Sequence, residues 1–281
     1  MPLSNPSESI IGPPPGSSAY YALQRCPPES RDGLKHLLDV HVQVRSIVMT
    51  VSDAAVAQAK LAWWRGQIEA LEQGRQADHP SLRALAPHLQ AQGLQPSALL
   101  GVIESVAIDL RQNRWMDRAA LLHYCRAGSG QTLRCAAGLL GLTSPSAIDA
   151  AEELGCGLRL ASAIRHLGRD VAQGRVYLPL DALQEHGVTA AQLQQRDLNP
   201  PIRALLQSET RHALTALHAA REGLAPFPIA QTAPLIAQAA LYAALLREIE
   251  RADYAVLHQR ISLTPLRKLW ISRSCTWHRV A

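Results

Sequence analysis

Apolar residues recur at three- and four-residue spacing along most of the chain, the pattern of helices that bury one face. Between residues 53 and 74, for example, the apolar positions are Val56, Leu61, Trp64, Ile68 and Leu71. No stretch alternates apolar and polar residues for long enough to predict a sheet. The pattern therefore predicts an all-α protein.

Capping residues and prolines set the expected helix boundaries. We expect helices over residues 17–21, 29–50, 53–74, 95–113, 119–140, 144–172, 180–186, 189–195, 200–222 and 232–258, and a short one from Pro80 that Pro87 could interrupt. Ser144-Pro145 is a good start signal, and the helical pattern after it continues to about Ala172. Gly128-Ser129-Gly130 is expected to interrupt the helix that precedes it.

The chain has 281 residues, of which 47% are hydrophobic, enough for one large domain or two small ones. Residues 1–15 are rich in Ser and Pro and lack a basic start followed by an apolar stretch, so we expect a disordered tail. The sequence contains no run of about 18 apolar residues, so we predict no membrane span. We place one domain at residues 16–270 and a basic C-terminal tail at residues 271–281.

The formal net charge of +5 is carried mostly by arginine and permits binding of phosphates or of an anionic membrane surface. Because the arginines are scattered among acids, nucleic acid is not an expected partner. The five cysteines form no Cys-x-x-Cys pair, and their odd number favours a reducing cytoplasm.

Several short segments, in order along the chain, resemble one family. Arg165-His166-Leu167-Gly168-Arg169-Asp170, followed by Gly174-Arg175-Val176-Tyr177-Leu178-Pro179, resembles a segment of the squalene/phytoene synthases that reads roughly Arg-Asp-Val-Gly-Glu-Asp. Gly16-Ser17-Ser18-Ala19-Tyr20-Tyr21, Lys60-Leu61-Ala62-Trp63-Trp64-Arg65 and the segment from Leu257 to Trp270 are also similar to family signatures, the last to that of bacterial presqualene diphosphate synthases. The resemblance runs from about residue 16 to residue 270.

The resemblance implies a single all-α domain of the isoprenoid-synthase type, with helices surrounding a central cavity. Such enzymes condense two farnesyl diphosphates head to head, and acidic residues on two opposed helices hold Mg²⁺ against the departing diphosphate. Counted back from Lys60 without a gap, the first acidic motif, roughly Asp-Asp-x-x-Asp, aligns with Arg45-Ser46-Ile47-Val48-Met49. In the second motif, His166 and Asp170 occupy the two Asp positions.

A third departure lies at Tyr124-Cys125-Arg126-Ala127-Gly128-Ser129-Gly130, where the family reads close to Tyr-Cys-Tyr-Arg-Val-Ala-Gly. Tyr124 is retained, but the residue expected to face the active site is now Ala127. Our hypothesis is a non-catalytic protein that binds an isoprenoid or isoprenyl diphosphate, or assists assembly with a protein partner, and requires no cofactor. The alternative is an active head-to-head prenyltransferase with a reorganised site that uses Mg²⁺.

The candidate residues each have a second, structural interpretation. Asp170 could be a surviving Mg²⁺ ligand, or pair with His166 or a nearby arginine. Arg45, Arg165 and Arg169 could hold a phosphate directly, or neutralise remaining acids. The candidate substrate-binding residues are Tyr20, Tyr21, Arg45, Asp109, Tyr124, Arg165, Arg169 and Tyr177.

Some of these residues have a specific packing alternative. Tyr20, Tyr21 and Tyr177 could line a cavity mouth or serve only as packing aromatics. Asp109 could be structural and joined to an arginine of the C-terminal tail. We expect a cytoplasmic protein, with peripheral contact at the inner membrane as a further hypothesis.

Overall fold

The structure, a computed structural model, describes residues 11–275 and is built from α-helices. Over these residues the α-helices are α1 Ser18–Leu23, α2 Pro28–Thr50, α3 Ala54–Glu72, α4 Pro80–Ala91, α5 Leu100–Arg111, α6 Arg118–Cys125, α7 Gln131–Leu139, α8 Pro145–Arg165, α9 Leu167–Ala172, α10 Leu180–Glu185, α11 Ala190–Gln195, α12 Pro200–Leu224, α13 Ile229–Arg251 and α14 Pro265–Ser274. Short 3-10 turns lie at Pro96–Leu99 and Ala255–Leu257. No strand occurs between residues 11 and 275, so the all-α prediction is confirmed.

Side-chain caps explain where many helices begin. Ser17, Asp53, Asp117 and Asn199 each accept a hydrogen bond from a backbone N–H of the following turn. These bonds satisfy donors that a helix N-terminus otherwise leaves unpaired. Pro87 lies inside α4 and does not interrupt it, contrary to one of our expectations.

Helix α8 is the central element, and α7, α12 and α13 all pack against it. Small residues allow this close approach: a Cβ at Gly155 would collide with the backbone of Ser129, and one at Gly157 would crowd Leu217. The segment Arg126–Gly130 forms a π-helical turn between α6 and α7, at the predicted interruption. The turn therefore packs its backbone directly against α8.

The expected continuous helix from residue 144 to 172 is wrong. Helix α8 ends at Arg165, and α9 begins at Leu167 after a residue, His166, with φ −103° and ψ 10°. Gly168 lies against the backbone carbonyls of Val256 and Leu257, where no side chain fits. The sequence pattern misses this break because the contact comes from a segment distant in sequence.

The last long helix is also shorter than predicted. Helix α13 ends at Arg251 because Asp253 and Tyr254 adopt left-handed φ values of 51° and 56°. By length and composition α13 could cross a membrane, but most of it is buried inside the domain. Four of the five free cysteines are likewise buried, and Cys275 is partly so.

Both ends of the described chain pack on the domain. The Gly12 N–H donates to Asp39 Oδ1 at 3.2 Å, so residues 11–15, expected in the tail, contact α2. The Lys268 ammonium donates to the Gly16 carbonyl at 2.7 Å, which joins α14 to the start of the domain. Residues 271–274, expected in the basic tail, belong to α14. Residues 1–10 and 276–281, the rest of both predicted tails, lie outside the described residues.

We expect Gly155→Ala to destabilise the fold by about 1–3 kcal/mol, because overpacking forces α8 and the π-helical turn apart. Gly66→Ala is the matched control, because a Cβ at this exposed position of α3 meets nothing within 4 Å. This substitution should stabilise the fold by about 0.5–1 kcal/mol, since alanine favours a helix more than glycine does. Urea unfolding monitored by circular dichroism measures both changes. Equal effects at the two sites would contradict the close packing described here.

Candidate functional site: an arginine-lined cavity

One large cavity, of about 980 Å³, opens among α2, α7, α8, α9 and the segment after α13. Its apolar wall includes Leu38, Val42, Leu133, Leu158 and Leu257. Its cationic lining consists of six arginines, Arg45, Arg159, Arg165, Arg169, Arg196 and Arg260. Asp170 contributes the one carboxylate among the described lining residues. The cavity therefore combines an apolar wall with an excess of positive charge.

Asp109 is the buried centre of a hydrogen-bond network behind the cavity wall. Its Oδ2 accepts from the Tyr124 hydroxyl at 2.5 Å, and its Oδ1 accepts from the Tyr177 hydroxyl at 2.8 Å. Arg45 Nη2 lies 3.5 Å from Oδ2, and Arg175 Nη1 lies 3.7 Å from Oδ1. The expected partner, an arginine of the C-terminal tail, is wrong: the two cations come from α2 and from the segment after α9.

Arg159 completes this network from α8. Its Nη2 donates to the Tyr124 hydroxyl at 3.1 Å, and its guanidinium lies 4.1 Å from the centre of the Tyr177 ring. Burial lowers the pKa of Arg159, but Tyr124, Tyr177 and Asp109 outweigh burial and hold the pKa above its usual value. Arg45, which donates to the same tyrosine hydroxyl at 2.9 Å, also has a raised pKa. Both guanidinium groups therefore have hydrogen-bond partners within the protein, and Arg45 also has a carboxylate partner.

The arginines around α9 have a different environment. Both Arg169 Nε and Nη2 donate to Asp170 Oδ1, at 2.9 and 2.7 Å. Asp170 Oδ2 and Arg165 Nε are buried and have no hydrogen-bond partner among the described residues. Burial lowers the pKa of Arg165, and Arg260 and Arg169 lower it further. Burial also raises the pKa of Asp170 against the opposing effect of Arg169.

Two histidines of the lining are held neutral. Burial, followed by Arg169, Arg165 and Arg260, lowers the pKa of His166 to about 3. Burial, followed by Arg45 and Arg159, lowers the pKa of His41 to about 3, and His41 Nδ1 lies 2.8 Å from Thr132 Oγ1. Neither imidazole adds charge to the cavity near neutral pH.

The structure brings the two motif segments to the same cavity. Arg45, Ser46 and Met49 line it from α2, and Arg165, His166, Arg169 and Asp170 line it from the end of α8 and from α9. Tyr177 also lines the cavity, whereas Tyr124 and Asp109 lie in the buried layer behind it.

Other predicted positions lie elsewhere. Tyr20 and Tyr21 pack edge to face against each other outside the lining, where Ser17 and Ala19 take their place. Ser129, not Ala127, faces the cavity from the π-helical turn. Asp170 pairs with Arg169, one of the two partners expected for it.

Three arginines of the lining, Arg159, Arg196 and Arg260, and Arg175 beside Asp109 were not predicted from the sequence. Arg159 carried a usable signal, because it precedes Ser162 and Arg165 at three-residue spacing on the same helix. Arg196 and Arg260 have no such sequence signal, because they lie in connecting segments that only the tertiary fold brings to the cavity.

The lining does not fit a cluster of Mg²⁺ ions. Mg²⁺ prefers several oxygen ligands, and carboxylates supply the negative charge that holds it. The cavity offers Asp170, one of whose oxygens already accepts two bonds from Arg169. No group of three or more His, Cys, Asp or Glu side chains that could hold a metal occurs among residues 11–275.

The family model for squalene/phytoene synthase matches residues 13–267. The chain belongs to the squalene/phytoene synthase family. This match confirms the resemblance drawn from the short motifs, and it covers every element that lines the cavity.

Curated relatives agree with this assignment. The chain is 31% identical to a phytoene synthase of Thermus thermophilus, over 73% of this chain and 70% of that protein. It is 27% identical to a presqualene diphosphate synthase of Sinorhizobium fredii, over 63% of each. It is 28% identical to a chloroplastic phytoene synthase of an Oncidium hybrid cultivar, over 76% of this chain but 53% of that protein. The chain thus spans about half the length of several plant relatives that it matches.

Solved structures share the fold. A dehydrosqualene synthase in complex with a ligand superposes with a TM-score of 0.82 at 19% identity, over 93% of this chain and 91% of that one. A squalene synthase from Alicyclobacillus acidocaldarius gives a TM-score of 0.76 at 21% identity, over 83% and 88% of the two chains. The single-domain, all-α architecture implied by the resemblance is therefore confirmed.

We expect Asp109→Asn to lower the free energy of unfolding by about 3–5 kcal/mol, because it leaves buried arginines without their counter-charge. Asp149→Asn is the control, since that carboxylate is 73% exposed in its pair with Arg134 and its loss should cost less than about 1 kcal/mol. Guanidinium unfolding of both variants measures the difference. A cost below 1 kcal/mol at Asp109 would show that the network does not depend on its charge.

Proposed function

We propose that this protein binds an isoprenoid or an isoprenyl diphosphate in the family's cavity without ionising it. The observation that carries the proposal is the lining, in which six arginines accompany one carboxylate. A metal-dependent synthase needs acidic ligands on both opposed helices, whereas here the α2 positions Arg45, Ser46 and Met49 offer none.

The cavity suits a long apolar chain with an anionic end. Ligand sites typically have volumes of about 300–1,000 Å³, and this cavity, at about 980 Å³, lies at the upper end of that range. Its apolar wall can bury a hydrocarbon chain, and guanidinium groups bind phosphate oxygens bidentately without a metal. The protein would then act as a binding or assembly protein in the cytoplasm, with no cofactor required.

Incubation with farnesyl diphosphate tests the proposal. In Mg²⁺ or Mn²⁺ we expect no release of diphosphate by the natural protein, because no carboxylate cluster stabilises the departing group. We expect farnesyl diphosphate to raise the melting temperature, and farnesol to raise it less because it lacks the anionic end. The control carries Asp at positions 45, 46, 49 and 166, which restores the acids that the family alignment implies.

Each outcome decides between the two hypotheses. Metal-dependent release by the natural protein would overturn the proposal and support the alternative, a head-to-head prenyltransferase with a reorganised site. No release and no thermal shift with either compound would exclude isoprenoid binding in this cavity.

We also propose that α14 contacts an anionic membrane surface, which would place the cavity near its lipid ligand. Leu266 and Trp270, one turn apart, are 80% and 67% exposed. After Asp253 the sequence contains no acid, while Arg267, Arg273 and Arg279 are basic. An apolar face beside cations is the pattern of helices that lie at an anionic interface.

Vesicle sedimentation measures this contact. We expect binding to phosphatidylglycerol-containing vesicles and weak binding to pure phosphatidylcholine. Leu266→Gln with Trp270→Gln should weaken binding about tenfold or more, because two large side chains no longer insert. Met116→Gln, at a residue 73% exposed outside α14, is the control and should bind normally. Unchanged binding by the double variant would remove α14 from the membrane contact.

A further inference from the structure

The arginines of the cavity divide into two sets that differ in their protein partners. Arg45 and Arg159 both donate to the Tyr124 hydroxyl, and Arg45 also pairs with the Asp109 carboxylate. The second set, which we call the α9 cluster, consists of Arg165, Arg169, Arg196 and Arg260. Asp170 is the one acid that pairs with a member of the α9 cluster among the described residues.

Three members of the α9 cluster have no ion-pair partner within residues 11–275. These are Arg165, Arg196 and Arg260, and the Arg165 Nε is buried without any hydrogen bond. A buried donor without an acceptor is costly, as at the Arg165 Nε, whereas Arg196 and Arg260 are exposed to solvent. The lowered pKa values of Arg165 and of Lys268, which both reflect burial and the field of Arg260, agree with this deficit.

The cluster is assembled from four separate segments. Arg165 ends α8 and Arg169 lies on α9, while Arg196 follows α11 and Arg260 follows the 3-10 turn at Ala255–Leu257. Arg196 adopts a left-handed backbone with φ 57°, and its Nη2 donates to the Gly168 carbonyl at 3.1 Å. Such a backbone is unfavourable for a residue with a side chain. In this backbone conformation the Arg196 guanidinium lies in the cavity lining, next to the backbone of α9.

We infer that the α9 cluster binds a diphosphate group directly, through guanidinium hydrogen bonds and without a metal. A diphosphate offers several charged oxygens to donors that converge from different directions, as four forked guanidinium groups require. Arg45 and Arg159, which the Asp109 and Tyr124 network already engages, serve the fold and contribute less to the affinity. This inference deepens the proposed function, on which it rests for the identity of the lipid part of the ligand.

The probes are inorganic diphosphate and farnesyl diphosphate, each titrated into the full chain by calorimetry in EDTA. We expect both to bind, and farnesyl diphosphate to bind more tightly because the apolar wall adds to its affinity. Arg165→Gln with Arg260→Gln should weaken both at least tenfold. Arg83→Gln is the matched control, because it removes the same charge from an exposed position on α4 and should leave both affinities unchanged.

Added Mg²⁺ separates direct binding from metal-mediated binding. Mg²⁺ should weaken binding of diphosphate to the α9 cluster, because it neutralises the free diphosphate. The described lining offers it one carboxylate ligand, that of Asp170. Stronger binding with Mg²⁺ would overturn the inference, as would full affinity in the double variant whose melting temperature matches that of the natural protein.

The same titrations distinguish the inference from the proposed function. Binding of inorganic diphosphate without any gain from the farnesyl chain would uphold the α9 cluster as an anion site and reject the isoprenoid ligand. Thermal stabilisation by farnesol, with no binding of inorganic diphosphate in EDTA, would uphold the isoprenoid cavity and reject the α9 cluster.

Discussion

The buried carboxylate of Asp109 is the interaction on which the cavity depends. It accepts hydrogen bonds from two tyrosine hydroxyls and lies beside one arginine from α2 and one from the segment after α9. This single negative charge therefore links elements whose arginines would otherwise repel one another. Arg159 reaches the same network through Tyr124. Without the carboxylate, the wall between α2 and α8 would contain buried cations whose mutual repulsion opposes packing.

The Asp109 network does not extend to α9. Around α9, Arg165, Arg169, Arg196 and Arg260 line the cavity together with the one carboxylate of the described lining, Asp170. Apolar packing maintains its shape, since Leu38, Leu133 and Leu158 belong to the wall irrespective of the charge beside them. The helices and the apolar wall maintain the space, and the charged lining residues give it an excess of positive charge.

Most of the fold was predictable because it follows from local rules. Asp53 caps α3 and Pro145 begins α8 where the sequence pattern placed them. The errors arose where distant backbone intervenes: the break at His166 accompanies the contact of Gly168 with the carbonyls of Val256 and Leu257. Spacing along one helix contains no information on such a contact.

The site divides in the same way. Motif positions on α2, α8 and α9 were located from the sequence, because a familiar order of residues marks them. Arg159 was overlooked since an arginine in a long helix ordinarily faces water. Arg196 depends on a left-handed backbone in a connecting segment, a property that no periodicity reports.

The bond from Lys268 to the Gly16 carbonyl joins residues 252 positions apart in the sequence. Pro13, Pro14 and Ser17, next to that carbonyl, line the cavity, so α14 holds the segment that forms one side of it. Shortening the chain from either end would therefore open the same side. A protein shortened at its N-terminus and one shortened at its C-terminus should therefore share one defect, faster exchange of the ligand in the cavity. They should share it although the two deletions remove different residues.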